Sequence, residues 1–363
     1  MKYPFAYMPV LKWKLGEQQA LQGVSSAARA IIFPLVEVMD RPYDWEDEVY
    51  TASWDVHLKK TVASAAKYWG SGHEIAFDTV IDVGDVLETS TKEPWTFLFE
   101  EFWKAGVDAV PVISDVASRS ERLALMAVSA AHGRERYVLR FAISERSPVE
   151  AASWHETVLK EFGGDSTKLD VVLDLGAIEG SISAALISNV VACYQGVAQL
   201  GGWRSVTLAS GAFPNSLAGV SLGLTPIERK DTRLFRLVKA ALAGQAQPLR
   251  YADYGIVNPD FVDADPRMMR MSANLRYTDT DDWKVYKARS VLKFGFGQYI
   301  DLCKILVMAS FFRGNAFSIG DANYHAIATT VGSGPGNATH WRRDGTSHHI
   351  AIVLSQLSSL GVA

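Results

Sequence analysis

Leu169-Asp-Val-Val-Leu-Asp174 is a short, almost entirely apolar run that ends in a carboxylate, and seven comparable runs lie before residue 257. A strand buried on both faces must be nearly all apolar, as in a parallel sheet covered by helices. Eight such strands separated by helix-sized segments predict a (β/α)8 TIM-like barrel. The other seven runs are Met8–Lys14, Ile31–Glu37, Glu74–Asp78, Ala109–Asp115, Tyr137–Ala142, Ser205–Ser210 and Leu249–Tyr254.

The segments between these runs have helical features. Residues 55–69 place apolar side chains at a 3.6-residue period, and Ser118-Arg-Ser-Glu121 resembles a capping box. After Tyr254 the sequence becomes polar, and helix-like spacing returns over residues 291–312. We therefore expect a barrel over residues 1–257, and over residues 258–363 a mixed, mainly helical C-terminal extension that packs on the barrel as a basic cap.

Composition indicates a globular protein in the cytoplasm without a membrane span. No tract approaches the ~20 apolar residues that a membrane helix needs. The two cysteines, Cys193 and Cys303, are isolated in the sequence and are expected to be buried thiols in a reducing compartment. Net charge is −4, yet residues 228–363 hold 17 Lys and Arg against 12 Asp and Glu. A basic extension suits a polyanionic partner, and uneven surface charge without a function is the alternative.

Polar side chains stand at the ends of the predicted strands, where barrel enzymes place their active sites. Because side chains alternate along a strand, Lys12 and Lys14 share a face with Val10, and lysine rarely faces a helix layer. We therefore expect seven of these side chains to meet in the barrel mouth: Lys12, Lys14, Glu37, Asp78, Arg140, Asp174 and Asp253. Asp115 and Ser210 also end strands.

These side chains suggest several chemistries. The carboxylates are candidate catalytic groups for general acid/base work or for hydrolysis at a glycosidic carbon: Glu37, Asp78, Asp174 and Asp253. Lys12 and Lys14 are candidates for Schiff-base formation or for neutralising an anion. Arg140 is a candidate ligand for a substrate phosphate, or it orients Asp174 or Asp115. The alternative is a self-paired ionic network with no chemistry.

No cofactor is predicted, and no residue is assigned as a metal ligand. The carboxylates would suit a hard divalent metal such as Mg²⁺. The strands lack His-x-His and Glu-x-x-His ligand pairs, which argues against a metal site.

The C-terminal stretch is rich in histidine, arginine and tryptophan. Four of the eight histidines lie after residue 324, beside a tryptophan and two arginines. This mixture suits contact with a phosphate backbone or an extruded base, and a capping helix with ordinary surface residues is the alternative. The candidate phosphate-binding residues are Arg140, Asn337, Trp341, Arg342, His348 and His349.

Two stretches of the sequence are distinctive. They are Tyr7-Met-Pro-Val-Leu-Lys-Trp-Lys-Leu-Gly-Glu-Gln-Gln-Ala-Leu21, followed by Ile32–Glu37, and Gly336-Asn-Ala-Thr-His-Trp-Arg-Arg-Asp-Gly-Thr-Ser-His-His-Ile350. Both resemble the "beta protein" family of phages and bacteria. The resemblance implies a role in the conflict between phages and bacteria, and hence action on nucleic acid or nucleotides. It marks several positions as important without assigning roles: Lys12, Lys14, Glu17, Glu37, Asn337, Trp341, Arg342, His348 and His349.

Together these features favour an anti-phage hydrolase that acts on DNA or nucleotides, with a DNA glycosylase as the specific hypothesis. DNA is the expected partner, and no membrane partner is expected. The main alternative is a non-catalytic sensor module that recognises a phage protein or nucleic acid, since fold does not determine function. A barrel enzyme of small-molecule metabolism is a third possibility.

Overall fold

The computed structural model describes residues 5–79, 87–144, 146–260, 265 and 271–359. The strands in these ranges are β1 (Tyr7–Leu11), β2 (Leu35–Val38), β3 (Tyr43–Asp44), β4 (Val49–Tyr50), β5 (Ile75–Thr79), β6 (Ala109–Ser114), β7 (Tyr137–Ala142), β8 (Leu169–Ala177), β9 (Ser205–Gly211), β10 (Gly223–Glu228), β11 (Leu249–Asp253), β12 (Ser272–Thr278) and β13 (Asp282–Ser290). The helices are α1 (Leu15–Gln22), α2 (Ser26–Arg29), α3 (Trp54–Tyr68), α4 (Pro94–Lys104), α5 (Arg119–Ala131), α6 (Pro148–Glu161), α7 (Ala184–Ala198), α8 (Lys230–Ala241), α9 (Val291–Phe294), α10 (Gln298–Val307), α11 (Ile319–Thr329) and α12 (Ala338–Ser359).

Eight parallel strands close into a barrel in the order β1-β2-β5-β6-β7-β8-β9-β11, with β11 returning to β1. Each of the eight predicted apolar runs contributes one of these strands. The barrel prediction is therefore confirmed, and so is the presence of helices after it. The predicted capping box also forms, since Ser118 Oγ accepts a hydrogen bond from the Glu121 amide at the start of α5.

The barrel strands are buried on both faces because they separate two apolar layers. Val10, Leu35, Val138 and Val172 belong to the cluster that fills the barrel interior. Their chain neighbours face outward and join the larger core between the strands and the surrounding helices. Both faces therefore need apolar side chains, and polar ones are confined to the two ends of the barrel.

At the N-terminal end, an ionic network closes the barrel. Asp170 is fully buried, and it lies 2.8 Å from Arg136 Nη2 and 3.0 Å from Arg204 Nη1. Ser205 Oγ donates a further hydrogen bond to Asp170 Oδ1. Polar groups at this end of a barrel contribute to stability rather than to catalysis.

The last helix completes the helical ring around the barrel. The C-terminal half of α12 places Ile350, Val353 and Leu357 in the core that lies outside the strands. Because β11 is the eighth strand, α12 stands where the eighth barrel helix belongs. Residues 258–337 thus form an insertion between the eighth strand and its helix.

The insertion carries a small antiparallel sheet of order β10-β13-β12. β10 comes from the connection after β9, inside the range predicted as barrel, and it pairs with β13 from residue 223 to residue 228. Barrel and extension therefore share a strand as well as α12. The boundary at residues 257 and 258 stays a prediction as a domain division.

None of the helices in the described ranges has the length and apolar character to cross a membrane. Cys193 and Cys303 are buried free thiols, as expected.

Candidate active site at the barrel mouth

Arg140 lies at the centre of the C-terminal mouth of the barrel and bonds to three carboxylates from three other strands. Its Nη1 lies 2.6 Å from Asp78 Oδ2, its Nη2 lies 2.7 Å from Glu37 Oε1, and its Nε lies 2.8 Å from Asp174 Oδ2. Tyr254, which follows β11, accepts from Arg140 Nη2 at 2.7 Å and donates to Asp174 Oδ2 at 2.6 Å. All three nitrogen atoms of the guanidinium therefore donate hydrogen bonds, which hold it in one orientation.

Lys12 extends the network at the end of β1. Its Nζ lies 2.6 Å from Glu37 Oε2, so Glu37 bridges two cations. We call the six residues of this network the mouth cluster: Lys12, Glu37, Asp78, Arg140, Asp174 and Tyr254. The charged side chains retain between 8% and 15% of their exposed area, so solvent reaches them.

The cluster is formally acidic, since it holds three carboxylates against two cations. Burial alone would raise the pKa of Glu37, but Arg140 and Lys12 outweigh it and hold the pKa below its usual value. Glu37 is therefore ionised at neutral pH. Burial would lower the pKa of Arg140, but Tyr254 and the carboxylates raise it well above its usual value. Burial and nearby carboxylates raise the pKa of Tyr254 despite Arg140, so Tyr254 stays a neutral phenol.

Five of the seven side chains that were expected in the barrel mouth lie there: Lys12, Glu37, Asp78, Arg140 and Asp174. Asp253 is a correction, because along β11 Ala252 belongs to the interior cluster, whereas Tyr251 and Asp253 point outward. Tyr254 takes the expected place of Asp253 in the mouth. β11 carries one charged side chain on each face, Arg250 on one and Asp253 on the other, so the sequence did not show which face points into the barrel. Tyr254 itself was inside the predicted run and carried no other signal.

Asp253 is buried between the barrel and α12. It accepts hydrogen bonds from Tyr7 at 2.6 Å and Tyr251 at 2.8 Å, and His349 Nε2 lies 3.0 Å from its Oδ2. Burial opposes ionisation, yet His349 and Arg229 lower the pKa of Asp253 below its usual value. With 1% of the residue exposed, Asp253 holds structural elements together and is out of reach of a substrate.

For Lys14, placement of the side chain in the mouth stays a prediction, because the structure settles only the position of its backbone. β1 ends at Leu11, and Lys14 is the N-cap residue of α1, where its backbone amide donates to Glu17 at 3.3 Å. Asp115, a further strand-end residue, pairs with Arg146 at 2.9 Å.

The histidines of α12 are buried and partnered within the protein. His348 lies 2.7 Å from both Asp321 Oδ2 and the Thr278 carbonyl oxygen, and it stacks on Tyr277. His349 bridges Asp253 and Thr278. Neither histidine is exposed, so the expectation that they contact a phosphate backbone is corrected by their burial. Their partners could not be predicted from sequence because they lie far away along the chain.

The other C-terminal candidates have distinct environments. Trp341 is buried and stacks on Tyr299 with ring centroids 4.2 Å apart. Arg342 Nη1 lies 3.3 Å from Glu17 Oε1, which joins the two regions that carry the family resemblance. Asn337 is exposed and accepts from the His340 amide at the start of α12.

Across the ranges that the structure describes, no group of three or more His, Cys, Asp or Glu side chains is arranged to hold a metal ion. The mouth carboxylates surround a guanidinium rather than an open coordination site. Their geometry in this structure serves charge pairing.

The fold and the mouth cluster define a (β/α)8 barrel protein with ionisable side chains at the end where such barrels bind substrates. The sequence profile of the Beta protein family matches residues 7–355. The chain belongs to the Beta protein family, as the resemblance predicted.

Solved structures similar to this chain share little sequence with it. The YdjI aldolase from Escherichia coli K12 is 10% identical over 69% of this chain and 74% of that chain, with a TM-score of 0.36. The homocysteine methyltransferase MmuM from Escherichia coli is 12% identical over 69% and 91%, with a TM-score of 0.39. The intracellular xylanase TsXylA from Thermoanaerobacterium saccharolyticum is 11% identical over 69% and 85%, with a TM-score of 0.31. No curated protein matches the sequence.

Proposed function

We propose that the protein is a hydrolase of nucleotides or DNA, that its reaction centre is the mouth cluster, and that it cleaves an N-glycosidic bond. The observation that carries this proposal is the convergence of Glu37, Asp78 and Asp174 at a solvent-accessible barrel mouth. Side chains from separate strands meet there although each could have been apolar at lower cost in desolvation.

The charge of the cluster supports glycosidic chemistry. Cleavage of a glycosidic bond passes through an oxocarbenium-like transition state, which carries positive charge on the sugar. An acidic site favours that charge over the neutral ground state, whereas it repels a phosphate group. A sugar with its base attached is therefore the part of a nucleotide that suits the mouth.

Each residue of the cluster has a role in this scheme. Asp78 or Asp174 accepts a proton from the attacking water, whose oxygen bonds to the anomeric carbon as the bond to the base breaks. Arg140 holds both carboxylates in place. The proton that the carboxylate takes from the water passes through solvent to the departing base, so one water molecule is divided between the sugar and the base. Tyr254 donates its single hydroxyl proton to Asp174 and thereby holds that carboxylate in position. Glu37 contributes negative charge.

We place this activity in bacterial defence against phages, in the cytoplasm, with DNA as the partner. Membership of the Beta protein family supports this setting, because the family is associated with phages and anti-phage loci. For DNA, the scheme requires the target nucleotide to leave the duplex and enter the mouth.

Isosteric variants test whether the cluster acts chemically. Asp78→Asn and Asp174→Asn are expected to abolish protection of cells against phage, and Glu156→Gln, on the exposed surface of α6, is the matched control and should protect fully. Circular dichroism must show that all variants are folded. If both mouth variants fold and protect like the wild type, the hydrolase proposal is wrong.

A non-catalytic binding module is the second candidate. The observation that favours it is the completeness of the pairing, since Asp174 Oδ2 accepts from both Arg140 and Tyr254 and its Oδ1 accepts from the Gly176 amide. A binding module would release no hydrolytic product in the wild type or in the variants. The mouth variants would instead lose binding of a phage molecule.

A further inference from the structure

A second site candidate lies outside the mouth cluster and shares no residue with it. A cavity of about 120 Å³ opens between the start of α12, strand β12 and the segment after β11. A water molecule occupies ~30 Å³ in the liquid, so the cavity accepts a group of several heavy atoms. We call it the β12–α12 cleft, and its lining includes Ile256, Asn274, Arg276, Tyr299, Trp341 and Arg342.

Arg276 is the central polar group of the cleft. Its Nη1 donates to the Ile256 carbonyl at 2.7 Å and its Nε to Asn274 Oδ1 at 3.2 Å, and its guanidinium lies 4.5 Å from the ring centre of Phe213. All three partners are neutral, and no carboxylate of the described ranges pairs with this arginine. A guanidinium has five N–H donors, so three remain for a ligand.

Among the residues that line the cleft in the described ranges, the two charged side chains are both arginines. Arg342 is the second guanidinium in the lining, and Glu17 beside it is the one carboxylate paired with either arginine in the described residues. Burial and the charge of Arg342 lower the pKa of Arg276 to about 10. Arg276 is still a cation at neutral pH, but an unfavourably placed one. A bound anion would offset this cost.

The start of α12 adds to the attraction for an anion. Ala338, the first residue of this helix of 22 residues, lines the cleft. The backbone N–H groups of a first helical turn carry partial positive charge and bind anions readily. Trp341 and Tyr299 stack in parallel and form an aromatic wall. Trp341 Nε1 is buried and has no hydrogen-bond acceptor in the described part of the chain.

We propose that the β12–α12 cleft binds a phosphate group of a nucleotide or of a nucleic acid strand, with Arg276 as the principal ligand. Two guanidinium groups and a helix N-terminus suit the charge of a phosphate better than that of a single carboxylate, and the planar guanidinium binds two phosphate oxygens at once. The proposal deepens the proposed function and rests on it for the nucleotide. It separates an acidic mouth for the sugar from a basic cleft for the phosphate.

Calorimetric titration of the full-length protein tests the cleft without any requirement for catalysis. The probes are inorganic phosphate, a nucleoside 5′-monophosphate, the matching nucleoside and a short single-stranded oligonucleotide. The monophosphate should bind and the nucleoside should bind much more weakly. Comparison of monophosphate with oligonucleotide distinguishes a free nucleotide from a strand as the source of the phosphate.

Variants test whether Arg276 binds the phosphate. Arg276→Gln should weaken phosphate binding about 10- to 100-fold, the loss expected for a charged hydrogen bond. Arg276→Lys keeps the charge and should lose less. Arg289→Gln removes an exposed arginine from the same sheet and should bind like the wild type. Equal affinity in Arg276→Gln and wild type would overturn the proposal, as would a wild type that binds none of the phosphate probes at millimolar concentration.

Two further measurements keep the test decisive. If the Arg276 variants do not fold, hydrogen exchange of the wild type replaces them: phosphate should protect amides of residues 272–276 and 338–342, and no protection there would overturn the proposal. Asp174→Asn should bind phosphate like the wild type. If Asp78→Asn and Asp174→Asn are both fully active, the proposed reaction centre is wrong while the phosphate site stands.

Discussion

Arg140 controls the electrostatics of the barrel mouth because it is the common partner of Glu37, Asp78 and Asp174. Taking so many charges out of water costs free energy that apolar side chains of similar volume would not incur. The network therefore adds little net stability compared with an apolar mouth. Once the carboxylates are present, however, the guanidinium is indispensable.

Arg140→Met should destabilise the protein by about 3–5 kcal/mol at pH 7, because it leaves three partly buried carboxylates without their shared cation. Chemical denaturation would measure the loss of unfolding free energy. Arg119→Met, at an exposed arginine whose partner Glu161 also pairs with Arg122, is the control and should cost less than ~1 kcal/mol. A similar small cost for both variants would contradict the central role of Arg140.

His155 predicts a pH dependence of stability. It is fully buried among aromatic rings, and burial lowers its pKa to about 4 although the Ala151 carbonyl accepts a hydrogen bond from Nδ1. The unfolded chain takes up a proton near pH 6.5, while the folded protein resists until about pH 4. Stability should therefore fall as the pH drops through this window, by up to about 3 kcal/mol from this residue.

His155→Phe removes this titration. Melting curves from pH 4 to pH 7 should show a smaller loss of stability in the variant than in the wild type, and the difference should lie within the window from pH 4 to 6.5. Parallel pH profiles of wild type and variant would show that His155 does not titrate as the structure implies.

The position of a side chain was predictable where it ended an apolar run and where the alternation of residues showed which face of the strand points into the barrel. Lys12 beside Val10 met this condition. Asp253 did not, because each face of β11 carries one charged side chain. Neither did His349, whose partner Asp253 lies 96 residues away in sequence. Contacts over such separations depend on the completed fold.

At the level of elements, α12 determines how the chain closes on itself. It packs as the eighth barrel helix, and its middle connects the inserted sheet to the barrel through His348 and His349. The eight strands were predictable because each is a self-contained apolar run. The role of α12 was not, since residues 258–337 separate it from the strand it follows.

Ile350→Ala should destabilise the protein by about 2–5 kcal/mol, because Ile350 on α12 is 2% exposed within the main core. Ile305→Ala, at a position on α10 that is 54% exposed, is the matched control and should change stability little. Thermal unfolding of both variants measures the difference. Equal melting temperatures would show that α12 is not an integral part of the barrel core.

For the whole molecule, charge is distributed unevenly in a manner that suits a nucleotide. The mouth cluster is formally acidic, whereas two guanidinium groups are the charged side chains among the described residues that line the β12–α12 cleft. The excess of Lys and Arg after position 227 was visible in sequence. His348 and His349, which were expected to bind phosphate beside these residues, are buried. Arg276, which has no carboxylate partner among the described residues, was not singled out by any sequence motif.

The central claim is that the mouth cluster hydrolyses an N-glycosidic bond, and mass spectrometry of released base tests it most directly. Purified wild type, Asp78→Asn, Asp174→Asn and the surface control Glu156→Gln would be incubated with phage DNA, host DNA and nucleotides. We predict free base from the wild type and the control, and a 10²- to 10⁴-fold lower rate from the two mouth variants. Absence of free base from every substrate, or equal release by the folded mouth variants, would contradict the account.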